Sequence, residues 1–141
     1  MMAGVTESTP AAVTLPSAAK DLLDSPEFAT IATVLPNGLI QQSVVWVARD
    51  GEELVFATVE GRRKHLNLLA DPRCTALVYP RANPYSYLEL RGVATMTREG
   101  GRELIDDLHE KYLGSRPYPN DGPDDMRVVV RLKATKVVWH G

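Results

Sequence analysis

Several kinds of chemistry are excluded by what the sequence lacks. It has 141 residues and one cysteine, Cys74, so no internal disulfide can form, which fits a reducing compartment. No apolar run approaches the roughly 20 residues that cross a bilayer. The N-terminus has no basic segment followed by an apolar one, so no secretory signal is expected. Neither sign of charge dominates: a net charge of -2 disfavours a general nucleic-acid surface, and any basic patch must be local. There is no glycine-rich dinucleotide fingerprint and no Walker loop. Metal-ligand spacing is also missing, because His65, His109 and His140 lie far apart and Cys74 has no second cysteine nearby. Asp106-Asp107 and Asp124-Asp125 are adjacent pairs, and neighbours on a helix point about 100° apart, so neither is a ready acid/base pair. No nucleophile-base pair stands out and no catalytic side chain is assigned. If the protein is an enzyme, a cofactor carries the chemistry. The expectation is a cytoplasmic protein with no membrane, nucleic-acid or metal partner.

What is present describes an ordinary globular domain. Apolar residues at 44% and charged residues at 24% are typical, and the length suffices for one real core. Residues 1–14 are small and polar and cannot offset their ordering entropy, so a mobile tail is expected there, with a single domain over 15–141. Ser17 reads as the cap of a short helix carrying Leu22 and Leu23 and ending at Ser25-Pro26. Strands are expected from Phe28 to Val34, Leu39 to Ala48 and Glu53 to Val59. Leu35-Pro36-Asn37-Gly38 and Arg49-Asp50-Gly51 form the turns between them. A fourth strand follows from Arg73 to Tyr79. A fifth runs from Tyr85 to Met96, with Gly92 marking a bulge or bend. Arg98 to Leu113 has one apolar helical face and stops at Gly114, with His109 placed on the polar side. In the last strand Met126, Val128, Val130 and Leu132 alternate as the inward set against Arg127, Val129, Arg131 and Lys133. Six strands without a strand-helix-strand rhythm predict a mostly β fold with peripheral helices, a small antiparallel barrel.

The stretch from Gly61 to Pro72 has the most chemistry. Arg62, Arg63 and Lys64 open a helix directly after the strand that ends in Ala57-Thr58. Free amides and the macrodipole add positive potential at the same point. Taken alone, a solvated basic helix start is the simpler explanation. His65 on this turn reads as solvated, and Cys74 as a small buried residue. The strand Gln41-Gln42-Ser43-Val44-Val45-Trp46 adds amides, a hydroxyl and an indole, although by residue type Trp46 reads as core packing. Together these groups suit a flat heterocycle with a phosphorylated tail. Arg63 offers a fixed fork to the phosphate and Lys64 a mobile point charge.

The ordered set Gln42-Ser43-Val44-Val45-Trp46, Asp50-Gly51, Phe56-Ala57-Thr58, Arg63-Lys64, Asn67-Leu68, Asp71-Pro72-Arg73 and Gly92-Val93-Ala94 resembles the pyridoxamine 5'-phosphate oxidase-like superfamily over roughly residues 20–139. The resemblance implies a six-stranded antiparallel split β-barrel, a homodimer, and a flavin-type cofactor at the dimer interface. It implies that Arg63 and Lys64 bind phosphate and that Ser43, Val44, Val45 and Trp46 line the ring, with Thr58 beside them. Gln42 stands where the vitamin B6 oxidases have an arginine near the flavin, and Tyr87 where they have a glutamine. Their C-terminal Arg-Leu-x-Pro and Arg-x-His motifs have no counterpart before Trp139-His140-Gly141. The Arg-Arg-Lys run and the Val-Val-Trp strand look more like the branch that uses the deazaflavin coenzyme F420. That coenzyme's phosphodiester and oligoglutamate tail would use Arg62, with Asn67 reaching the same group. The implied activity is hydride transfer from reduced F420 to an unsaturated small molecule, with Tyr79, Tyr87 and Trp139 as candidates for the substrate side. An FMN-binding oxidoreductase and a non-catalytic F420 carrier are the alternatives.

Overall fold

The computed structural model describes residues 13–141. The expected mobile tail lies, up to residue 12, outside the described residues. Its last part differs from the expectation in that Val13 packs against the core; Leu15, where the expected domain begins, is buried, its N–H donating to Glu52 Oε2 at 2.8 Å. Helix α1 spans Ser17–Asp24, with Pro16 rather than Ser17 at the cap position and no side-chain cap bond. Its apolar face, Ala19, Leu22 and Leu23, closes one side of the core.

Seven strands form one antiparallel sheet in the order β2-β1-β5-β6-β7-β4-β3. They are β1 (Ala29–Val34), β2 (Ile40–Val45), β3 (Ala48–Asp50), β4 (Glu53–Val59), β5 (Arg73–Val78), β6 (Tyr87–Thr97) and β7 (Arg127–His140). The single second strand expected from Leu39 to Ala48 is therefore two. Trp46 and Val47 interrupt it, and the chain passes from one edge of the sheet to the other. Strand β2 pairs with β1 and β3 pairs with β4, while β2 and β3 do not pair with each other, so the sheet stays open between its edges. The expected split barrel is thus present with one strand more than counted.

The turns follow from local chemistry. Gly38, at φ +87°, donates from its N–H to Leu35 O at 2.8 Å and closes the β1–β2 turn. Gly51, at φ +61°, is the first residue of the two-residue β3–β4 loop, a position that requires positive φ. At Gly92 the β6–β7 register shifts, leaving Thr135 as the extra residue. A Cβ on Gly92 would lie 2.0 Å from Lys133 O, so only glycine permits this approach and the bulge expected there.

Helix α2 (Arg63–Ala70) follows β4, and helix α3 (Gly101–Leu113) lies across β4 and β7. Gly101 allows the start of α3 to sit directly on Arg127 O, where a Cβ would come within 2.2 Å. This packing overturns part of the pattern read for the last strand. Arg127 and Val129 are buried beneath α3, while Met126 is exposed at 45%. A helix on the second face of a strand removes the in-out alternation on which the expectation rested. Inside the curl of the sheet, Ile31, Phe56, Leu88, Leu90, Val130 and Leu132 form the core.

Candidate functional site

Where β2 ends, β4 ends and α2 begins, a cavity of about 260 Å³ opens beside α3. Of the residues expected at a site, Val44, Val45, Trp46, Thr58, Arg62 and Lys64 line it. Ser43 joins them through its hydroxyl, which accepts from Lys64 Nζ at 2.9 Å. Half-burial, and secondarily the positive charge of Arg62, push the Lys64 pKa below the ordinary lysine value.

The arginines here are unusual within the protein. Arg49, Arg73, Arg81, Arg91, Arg98, Arg102, Arg116, Arg127 and Arg131 each sit in an ion pair. Among the described residues, Arg62 and Arg63 are the two arginines without one. Helix α2 has no acidic residue in its first turn and no side-chain cap, so nothing there offsets the macrodipole. Within that turn His65 is occupied, since its Nδ1 accepts from the Gly61 N–H at 3.0 Å. An anionic group would find donors, charge and a helix start together.

Arg63 and Asn67 stand elsewhere. Arg63 is exposed at the first position of α2 and does not line the cavity, so of the three consecutive cations Arg62 and Lys64 line it. Asn67 is buried at 1% exposure and turned toward β1, its amide donating to Thr33 Oγ1 at 3.0 Å. Gln42, Tyr79 and Tyr87 come together in a second cavity of about 430 Å³ on the outer face of β1, β2, β5 and β6. Trp139 lines neither cavity and packs against the core.

The remaining wall of the first cavity was not anticipated. Phe28, Ile105, Leu108, Tyr118 and Arg127 complete it, beside the expected Ala57. His109, expected on a polar face, is buried and edge-on to Trp46, with ring centroids 6.0 Å apart. Burial follows because the Pro-rich segment 115–126 folds back over α3 and carries Tyr118 against both rings. Buried Arg127 forms a two-point pair with Asp121, both bonds at 2.8 Å, and lies 5.0 Å from the Tyr118 ring centre. Arg102 holds the same loop through Asp121 and Tyr118 O. Arg127 first, then Arg102 and Arg62, keep the Asp121 carboxyl below its ordinary pKa. The cue in the sequence was Arg127 at the start of the apolar Val128-Val129-Val130 run, downstream of an acidic loop. Cys74 lies apart, buried, its thiol pushed up to about 12 by burial, as expected of a packing residue.

The cavity thus has two cations outside any ion pair, one of them bonded to a hydroxyl, at one end, and indole, phenol and aliphatic surface along its walls. The sequence matches the pyridoxamine 5'-phosphate oxidase family over residues 15–140. The chain belongs to that family. A solved structure described as an F420 reductase is 31% identical, covers 88% of this chain and 98% of its own, and superposes with a TM-score of 0.77. A conserved hypothetical protein of Mycobacterium tuberculosis is 25% identical over 96% of this chain and 90% of its own, with a TM-score of 0.73. A heme binding protein of Mycobacterium smegmatis is 27% identical over 90% of this chain and 55% of its own, with a TM-score of 0.62. No curated protein matches the chain. Membership of the pyridoxamine 5'-phosphate oxidase family together with the F420 reductase similarity supports an oxidoreductase or cofactor-binding protein of the flavin or deazaflavin type.

Proposed function

We propose that this protein is an F420-dependent oxidoreductase that passes hydride from the reduced deazaflavin to an unsaturated small-molecule acceptor. The observation that carries the proposal is the pairing of Arg62 and Lys64, which have no carboxylate partner, with the Trp46 wall in one cavity. The donor set suits the coenzyme. Arg62 and Lys64 would take the phosphodiester, with Ser43 presenting Lys64, and Arg63 stands outside the cavity where a longer anionic tail would emerge. The ring would lie along Val44, Val45 and Thr58 with Trp46 as its wall.

The chemistry such a group brings when bound is hydride donation from the reduced ring to an electron-poor double bond, with the proton taken from solvent. The chain's own residues bind, orient and exclude water; none needs to act as nucleophile or acid. A cavity of about 260 Å³ falls below the ~300–1,000 Å³ usual for a cofactor-sized ligand. A second copy of the chain would complete it. Val44 both lines the cavity and stands 68% exposed on the outer face of β2. A homodimer using that face would close the site and bring the Gln42, Tyr79 and Tyr87 cavity of one copy near the ring, as a substrate side.

FMN has a similar ring and one phosphate, and a non-catalytic F420 carrier would use the same residues. Turnover separates these readings. Reduced F420 should be oxidised in the presence of enones or quinones by the protein and not by buffer. Saturable F420 binding without turnover across such a panel would indicate the carrier.

A further inference from the structure

Trp46 and Val47 belong to no strand, because they carry the chain between the two edges of the sheet. Their backbone groups must find partners outside the ladder. Val47 is fully buried, and its partners come from the last turn of α3. Its N–H donates to the Tyr112 hydroxyl at 3.0 Å, and its carbonyl accepts from Lys111 Nζ at 2.6 Å. The same ammonium donates to Leu23 O, and the same hydroxyl to Glu27 O, each at 2.6 Å. Two consecutive side chains therefore gather the crossover, the end of α1 and the approach to β1.

The Tyr112 ring also stacks on Trp46, with centroids 5.5 Å apart and planes 15° from parallel, and on Phe28 at 5.6 Å. Trp46 and Phe28 both line the first cavity, while Tyr112 stands behind them. Lys111 is a costly way to tie two carbonyls. Burial lowers its pKa to about 8 against the opposing pull of Asp24, whose carboxylate is itself paired with Arg49. A buried charge used in this way fixes geometry at some expense of stability.

We propose that Lys111 and Tyr112 are positioning residues, which clamp both backbone polar groups of Val47 and thereby fix Trp46 as a wall of the cavity. That the cavity takes a cofactor rests on the reading above; the clamp itself does not.

The test starts from Trp139→Phe, which leaves Trp46 as the sole tryptophan, the chain having two. In that background Tyr112→Phe keeps the ring stacking and removes the hydroxyl, while Lys111→Met keeps the aliphatic stem and removes the ammonium. Trp46 emission and its quenching by acrylamide are read without cofactor, well below each variant's melting temperature, and F420 binding is read afterwards. Each variant should show red-shifted, more quenchable Trp46 emission and F420 affinity about tenfold weaker, as for the loss of one well-made contact. Unchanged emission and quenching in both variants would overturn the clamp. Freed Trp46 with unchanged F420 affinity would overturn the positioning role. If the parent binds no F420, the cofactor reading fails and Trp46 quenching alone decides the clamp. Should Lys111→Met not fold, Tyr112→Phe decides.

Discussion

Lys64 is half-buried, donates to a serine hydroxyl and has a like charge as its neighbour. Burial and Arg62 both disfavour its ammonium form, and an arriving phosphate would favour it. Binding of an anionic cofactor should therefore take up a proton at alkaline pH. Affinity is expected to fall as pH rises through the lowered pKa of the free protein, earlier than an ordinary lysine would dictate. Calorimetric titration in buffers of different ionisation enthalpy checks this, and a flat profile from neutral to alkaline pH contradicts it. Arg62→Ala and Lys64→Ala should each weaken F420 by about ten- to a hundredfold, the range for losing a charge-assisted hydrogen bond. Arg63→Ala should cost less, since its side chain stands outside the cavity. Dissociation constants from a fluorescence titration rank the three. At this scale the meeting of two segments was legible: that Val44 to Trp46 lie beside Lys64 follows from the order of the motifs. Which two of three consecutive cations face inward was not, because it depends on the direction in which Gly61, at φ +91°, launches α2.

Among the elements, the loop 115–126 and β7 form the least expected wall. Asp121 and Arg127 are buried together, their side chains 3% and 5% exposed. Asp121→Asn would leave a buried guanidinium unpaired and should destabilise the protein by about 3–5 kcal/mol, measured by chemical denaturation. The pair's pH dependence has a definite sign. Its contribution is complete above the ordinary aspartate value of 3.8 and is lost as pH falls through the lowered folded-state pKa. Stability between neutrality and about pH 5 should therefore show no loss from this pair. Strand β6 with its Gly92 bulge and α3 with its Gly114 stop were readable from period and punctuation. The break at Trp46-Val47 was not, because the apolar β-branched run continues through it. Only the change of partner strand, from β1 to β4, reveals the crossover. Arg127 and His109 were misplaced for a related reason: an in-out pattern cannot report that a second layer covers the polar side.

For the molecule as a whole, the proposed function has one chain supplying a phosphate end and one wall of a ring site, with a second copy closing the rest. The outer face of β1, β2, β5 and β6 presents Val44, Leu77 and Tyr79 at 68%, 36% and 39% exposure. A second copy on that face should give twice the chain mass of 15.5 kDa by light scattering coupled to gel filtration, and Val44→Glu should shift the equilibrium toward single chains with parallel loss of cofactor affinity. A single-chain mass with F420 bound at full strength would remove the dimer from the account. The fold class was legible because turns, periods and absences agreed; a homodimer is implied by the family resemblance alone, since period and composition do not report what covers an outer sheet face. The central claim is that the cavity between β2, β4 and α2 takes a deazaflavin phosphate through Arg62 and Lys64. Its most direct test is parallel titration of the cofactor-free protein with F420 and FMN, repeated on Arg62→Ala/Lys64→Ala. Saturable micromolar binding of F420, weaker binding of FMN and loss of both in the double variant are predicted. No saturable F420 binding, or affinity that survives the double change, would contradict it.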